Sequence, residues 1–279
     1  MSTDDLPPLR DVIADFDLAA KKSLGQHFLL DLNVTRKIAR LADLTDNDHV
    51  LEVGPGPGGL TRALLETGAS VTAVERDSRA IEALQMVRDR YRDKFEIVEG
   101  DALGFDENVL IHRPLIIASN LPYNISTELL IKWIHANHTP GRERLWSRMV
   151  LMFQKEVADR ILAGPGSKTY GRLSVLAQSM THPSKGFDLP ARAFTPPPKV
   201  DSSIVVFDAL SDQRTDLQAL ERVTQAAFGQ RRKMIRTSLK PVFGDGTEAI
   251  LDQLSIPSVD RAEAISVEDY LRLAAAQTE

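Results

Sequence analysis

The chain has 279 residues, 43% hydrophobic and 26% charged, with a formal net charge of −5 and no cysteine. Such a chain holds one large and one small domain, and its composition is ordinary for a soluble globular protein. The missing cysteine excludes disulfides, thiolate metal sites and a thiol nucleophile, and no apolar run approaches the roughly 20 residues of a membrane span. The leading stretch MSTDDLPPLRDVIADFD has neither a signal-peptide core nor an Arg-rich presequence, so a cytoplasmic location is expected.

In chain order, HVLEV (49–53), SVTAVE (70–75), FEIVEG (95–100) and PLIIAS (114–119) read as buried parallel strands. RMVLMFQ (148–154) is a fifth candidate. GLTRALLETG, SRAIEALQMVRDRY and ELLIKWI lie between them with helical spacing. This alternation predicts βαβ units in a doubly wound α/β sheet. After Phe207 helical patterns dominate: ALERVTQAAFG, RRKMIRTSLK, and a last helix opened by Ser266 and Asp269 at capping-box spacing. The expected division is an acidic N-terminal extension over 1–20 without structure of its own, an α/β domain over 21–209 and a small helical domain over 210–279.

Charge is unevenly placed. Residues 221–240 carry six bases against one acid, a balance of +5, while 241–279 carry eight acids and two bases. A local basic patch engages phosphates even in an acidic chain. Arg142, Arg144 and Arg148 form a second, weaker cluster. His135 and His138 have helical spacing but no third ligand, so they read as surface residues and no metal is expected.

The stretch EVGPGPGGLT (52–61) joins the first strand to its helix, and Gly54, Gly56 and Gly59 satisfy G-x-G-x-x-G. Glu75 follows Gly54 by 21 positions, where a carboxylate accepts hydrogen bonds from two ribose hydroxyls. NAD and S-adenosylmethionine (SAM) both present such a ribose. Asp101 and Ala102, after the third strand, suit the exocyclic amine of a cofactor adenine. Asn120, Leu121, Pro122 and Tyr123 end the fourth strand, where reaction chemistry belongs in an open α/β sheet, and nothing there resembles a dehydrogenase's acid or base. SAM is therefore favoured.

The NLPY turn suits methyl transfer to an exocyclic adenine nitrogen, a poor nucleophile because its lone pair is delocalised. Acceptors that hold the amine hydrogens and aim the nitrogen in line at the methyl supply what is missing. The Asn120 side-chain oxygen and the Leu121 carbonyl are the acceptors, Pro122 stiffens the turn, and Tyr123 offers a ring on which the base stacks.

The turn is similar to the D/N-P-P-Y/F motif of amino-methyltransferases acting on nucleobases, and its NLPY form resembles that of the ribosomal RNA adenine N6-dimethyltransferases. KKSLGQHFLLD (21–31), LMFQKEVADRILAGPGSKTYGRLSVLAQ (151–178), FTPPPKVDSSIV (194–205) and AFGQRRKMIRTSL (227–239) are similar to the bacterial small-subunit branch, the KsgA/RsmA family. The resemblance covers nearly the whole chain. It implies a Rossmann-like class I SAM-dependent methyltransferase sheet with a small C-terminal helical domain. It also implies dimethylation of two adjacent adenosines near the 3′ end of 16S rRNA in the small ribosomal subunit, with a role in subunit assembly. SAM is the methyl donor it implies, and no metal is needed. The cofactor contacts it implies fall on His27, Leu29, Gly54, Glu75, Asp101 and Asn120. Family members commonly have Asn where this chain has His27. Phe194 matches an aromatic that packs on the target adenine opposite Tyr123. Lys21, Lys22, Arg231, Arg232, Lys233 and Arg236 are candidate rRNA contacts. The alternative is a large-subunit rRNA methylase conferring antibiotic resistance, against which TYGRLSVLAQ and FTPPPKVDSS count. A monomer is expected.

Overall fold

The computed structural model describes residues 6–18, 26–110, 114–138, 143–210 and 216–277. The chain forms two compact units, one of Met1–Lys155 with Ser184–Asp208, the other of Glu156–Pro183 with Ala209–Glu279.

The first unit is built on a seven-stranded sheet. Its strands are β2 (His49–Val53), β3 (Ser70–Glu75), β4 (Phe95–Glu99), β5 (Leu115–Ser119), β6 (Trp146–Gln154), β7 (Thr181–Leu189) and β9 (Ser202–Ala209), in the order β4-β3-β2-β5-β6-β9-β7. From β4 to β6 neighbouring strands are parallel, and β9 runs antiparallel to β6. The first five agree closely with the apolar runs. β7 and β9 escape that reading, because THPSKGFDL is largely polar and SSIVVFDA follows a proline-rich turn. Helices α2 (Leu32–Leu41), α3 (Gly59–Leu65), α4 (Ser78–Tyr91) and α5 (Ser126–Asn137) flank the strands. Asp31 and Asp77 cap α2 and α4 by accepting from backbone N–H groups.

From β2 the chain steps outward to β3 and β4 on one side, then crosses over to β5 and β6 on the other, so the strand order reverses between β2 and β5. The crevice between them is the switch point at which open α/β sheets bind ligands. The Ser119 hydroxyl donates to the Val53 carbonyl at 2.5 Å, tying the two strand ends together at that crevice.

The N-terminal segment differs from the expectation of an unstructured extension. Residues 9–15 form helix α1 (Leu9–Asp15), whose Leu9 and Val12 are buried, as is Leu18 beyond it. Val12 and Leu18 share an apolar cluster with Ala80 and Ala83 of α4. Leu9 packs on the start of α3: its Cδ1 lies 3.1 Å from where a Cβ on Gly59 would sit. The buried Arg62 donates to the Pro7 carbonyl at 2.7 Å, and Arg79 donates to the Asp17 carbonyl. The acidic residues mask an apolar face too short to stand out in the sequence.

The second unit also departs from the expected division. Residues 156–183 belong with the C-terminal helices, so the boundary near 209 is the third crossing of the chain between the units. The reason is packing. Helix α7 (Arg172–Met180) lies against α8 (Leu217–Gly229) and α12 (Val267–Ala276). The Tyr170 ring meets Phe228 edge-on at 5.9 Å, and Phe228 lies 5.6 Å from Tyr270. Gln178 donates to the Ile161 and Ala163 carbonyls, closing the turn after α6 (Lys155–Ile161). As its spacing predicts, Ser266 caps α12 by accepting from the Asp269 N–H at 3.0 Å.

Because Leu9 is 4% exposed, Leu9→Ala is expected to lower the unfolding free energy by roughly 2–3 kcal/mol in urea titration. An unchanged midpoint would mean that the segment contributes nothing to the first unit.

Candidate active site

A cavity of about 300 Å³ opens at the carboxyl ends of β2, β3, β4 and β5. Its floor is the turn between β2 and α3. Gly56 there has φ +54, and a Cβ on it would stand 2.7 Å from the Phe28 ring. Both facts call for glycine. The Gly54 N–H donates to the Val74 carbonyl at 2.9 Å, fastening the turn to the neighbouring strand. Gly58, which the fingerprint does not single out, also has positive φ and precedes α3, whereas Gly59 is already helical.

Glu75 ends β3 and lines the cavity. Its carboxylate accepts from the backbone N–H groups of Gly56 (3.1 Å), Arg76 (2.7 Å) and Asp77 (2.9 Å). Burial pushes this carboxyl up from its ordinary range, and the three amide donors partly offset the shift. Three fixed donors hold both oxygens in one orientation toward the cavity.

A second acid lines the cavity where the sequence reading named none. Glu52, 1% exposed in β2, accepts from the Thr61 hydroxyl at 2.6 Å. Burial raises its pKa to about 8, opposed by the Thr61 bond and reinforced by the nearby Glu75. The signal was present in LEVG, an acid inside an otherwise apolar strand. Glu75 offers oriented acceptors to a ribose diol, and a cation bound beside Glu52 would draw that carboxyl toward its ionised form. The donor set therefore fits SAM, whose sulfonium and ammonium are cationic.

Asp101 and Ala102 line the cavity beyond β4. Asp101 Oδ1 accepts from the Leu103 N–H at 3.0 Å, and Oδ2 lies 3.6 Å from Arg76. The Asn120–Tyr123 turn closes the crevice at the end of β5, and all four of its residues line the cavity. Asn120 Nδ2 donates to the His27 backbone carbonyl at 2.9 Å. A carbonyl only accepts, so the amide nitrogen must face it and Oδ1 is left for the cavity. The Tyr123 ring stands 5.5 Å from the His27 ring, and its hydroxyl shares a 2.5 Å hydrogen bond with Ser202 Oγ. Burial raises the phenol's pKa, against the effect of the Ser202 bond. His27 Nδ1 donates to the Pro196 carbonyl at 2.8 Å. Leu29 is buried and also lines the cavity.

Phe194 lies outside the cavity lining. The ring is 3% exposed and shares a core cluster with Leu189 and Ile204. Leu29 pairs with Phe194 where β1 (Phe28–Leu29) and β8 (Phe194–Thr195) run antiparallel, and the Phe194 ring packs into that core. This conformation gives Tyr123 no aromatic partner from Phe194.

In the second unit the basic stretch forms a turn after α8, and α9 (Ile235–Ser238) begins only beyond it. Arg232 and Lys233 are exposed there. Arg231 is engaged structurally, donating to the Lys168 carbonyl at 2.8 Å and lying 3.5 Å from Glu263, while Arg236 stands 3.6 Å from Glu248. Arg148 lies in β6 and pairs with Asp208 at 2.7 Å. His138 is half-buried, with Nδ1 bonded to the Ile134 carbonyl at 2.9 Å, so it is no surface histidine. Lys21, Lys22 and Arg142 lie outside the described residues. Among the described residues no three His, Asp or Glu gather into a metal-binding group, and no helix is long and apolar enough to cross a membrane.

A switch-point cavity with a glycine turn, a ribose-type acid and an NLPY turn defines a class I SAM-dependent methyltransferase. The family described as Ribosomal RNA adenine dimethylase matches residues 18–279, and the chain belongs to it. A Ribosomal RNA small subunit methyltransferase A of Maricaulis maris is 52% identical, over 99% of this chain and 96% of its own. Its namesake in Chelativorans sp. is 54% identical, over 98% and 99%. Among solved structures, a dimethyladenosine transferase from Plasmodium falciparum superposes with TM-score 0.76 at 27% identity, covering 88% of this chain and 96% of that one. The 23S rRNA methyltransferase ErmE gives 0.69 at 25% identity, covering 90% and 100%.

Glu52 generates a pH prediction. Its folded pKa of about 8 lies above the 4.5 of the free side chain. The stability it contributes is full below pH 4.5 and is lost as pH rises toward 8, by at most about 1.4 kcal/mol per pH unit. Ligand-free Glu52→Gln is therefore expected to melt progressively higher than the parent as pH rises from 5 to 8. Parallel melting-versus-pH curves would contradict this assignment.

Proposed function

We propose that this enzyme dimethylates the N6 amines of two adjacent adenosines near the 3′ end of 16S rRNA in the small ribosomal subunit, and that it takes part in assembling that subunit. The observation that carries the reading is the Asn120 amide, fixed by the His27 carbonyl so that Oδ1 shares one cavity with Glu75. The small-subunit names of relatives above 50% identity support that target over the large subunit.

Glu75 would hold the ribose diol of SAM, Asp101 its adenine amine, and the Gly54–Gly58 turn, His27 and Leu29 would surround the remainder. SAM when bound supplies an electrophilic methyl on a sulfonium. Asn120 Oδ1 and the Leu121 carbonyl accept the hydrogens of the target amine, which turns the nitrogen lone pair in line with that methyl. Pro122 fixes the turn and Tyr123 stacks on the adenine after it has left its helix. Two acceptors allow a monomethylated amine to bind again through its remaining hydrogen. Arg232 and Lys233, exposed on the second unit, would meet rRNA phosphates, with Lys21 and Lys22 as further candidates.

The test combines methyl-labelled SAM with unmethylated small subunits, with large-subunit RNA as control, followed by nucleoside analysis. Dimethyladenosine is expected from the small subunit alone, and label in large-subunit RNA would overturn the target. Asn120→Ala is expected to lower kcat by about 10²-fold or more, the scale of losing one oriented polar contact at a reacting centre. Its affinity for S-adenosylhomocysteine should stay close to that of the parent. An undiminished rate would refute the acceptor role.

A further inference from the structure

Lys132 is a cation inside the apolar run LLIKWI (129–134), where packing alone gives no reason for one. Its side chain on α5 is 24% exposed. An ammonium has three donors, and three partners surround this one: the Ala102 carbonyl at 2.9 Å, the Phe105 carbonyl at 2.5 Å and Glu107 Oε1 at 2.9 Å. Glu107 is itself buried and held by Trp133 Nε1 at 2.7 Å, while the Trp133 carbonyl accepts from Trp146 Nε1 at 2.8 Å. The network thus runs from the β6 core, through α5, to both ends of the turn Asp101–Phe105.

That turn brings Asp101, Ala102 and Leu103 to the cavity. Its internal bonds, Leu103 N–H to Asp101 Oδ1 and Gly104 N–H to the Asp101 carbonyl, shape it without anchoring it. The Arg76–Asp101 pair joins side chains 69% and 52% exposed, and water screens it. The bonds of Lys132 are charge-assisted and shielded, and they bind the turn to a helix that starts directly after the NLPY segment.

We infer that Lys132 is a positioning residue for the cofactor adenine, holding the Asp101–Phe105 turn in register with the Asn120–Tyr123 turn. The inference rests on the reading that Asp101 takes the adenine amine of SAM. Lys132 does not line the cavity, so its effect must pass through that turn.

Calorimetric binding of S-adenosylhomocysteine to the full chain, Lys132→Met, Asp101→Ala and the double variant tests it. Lys132→Met is expected to weaken binding about 10-fold, the scale of losing charge-assisted hydrogen bonds. The double variant should bind no more weakly than Asp101→Ala, because both changes disable one contact. Lys132→Arg should recover most of the loss. In turnover, the KM for SAM should rise while kcat and the KM for small subunits hold. Should Lys132→Met fail to fold, Lys132→Met with Glu107→Gln removes both charges and carries the same expectation. Binding unchanged in Lys132→Met, or losses that multiply in the double variant, would overturn the positioning role. Failure of the parent protein to bind S-adenosylhomocysteine would instead overturn the cofactor reading beneath it.

Discussion

The hydrogen bond from the Gly56 N–H to the Glu75 carboxylate, 3.1 Å long, joins the glycine turn to the end of the neighbouring strand. It requires positive φ at Gly56 and a side chain no larger than hydrogen against Phe28. It also requires β2 and β3 in their observed parallel register, His49 opposite Ser70 through Val53 opposite Val74, so that Glu75 emerges beside the turn. A slip of one residue would turn Glu75 to the other face of the sheet. The core behind the sheet and the cavity before it are consequences of one register.

The opposite wall answers to a second constraint. Asn120 and Tyr123 are both set by groups distant in sequence, the amide by the His27 carbonyl and the phenol by Ser202. His27 in turn reaches Pro196. The segment before α2 and the start of β9 therefore hold the Asn120 and Tyr123 side chains from outside the βαβ frame, with the proline-rich segment behind His27. His27 performs its observed service to Asn120 through its backbone, which any residue supplies. The imidazole contributes the separate bond to Pro196.

Much of this was legible in the sequence for a physical reason. Parallel strands buried on both faces are continuous apolar runs, so HVLEV, SVTAVE and LIIAS declare themselves, whereas FEIVE is the edge strand and buries only Phe95. A glycine turn and an acid at fixed spacing are local geometry, and so is the NLPY turn. What escaped depends on contacts between distant segments. The polar strand β7 takes its place from β9 beside it, residues 156–183 join the second unit through rings at Tyr170 and Phe228, and α1 is held by α3 and α4. The burial of the Phe194 ring was not legible, because its motif fixes a turn but not the side of the strand pair to which the ring goes. Glu52 was overlooked because its significance lies in burial, which a lone acid in an apolar strand only hints at.

The account stands on Glu75 holding a ribose diol while three amides hold Glu75. Calorimetric affinities of the parent and Glu75→Gln for S-adenosylhomocysteine and for its 2′-deoxy and 3′-deoxy forms test that claim most directly. The parent should lose about 10-fold with each missing hydroxyl, the scale of a hydrogen bond to a charged acceptor. Glu75→Gln should bind the intact ligand weakly and scarcely distinguish the three. If both proteins discriminate equally among the ligands, the ribose is held elsewhere and this assignment of the cavity is wrong.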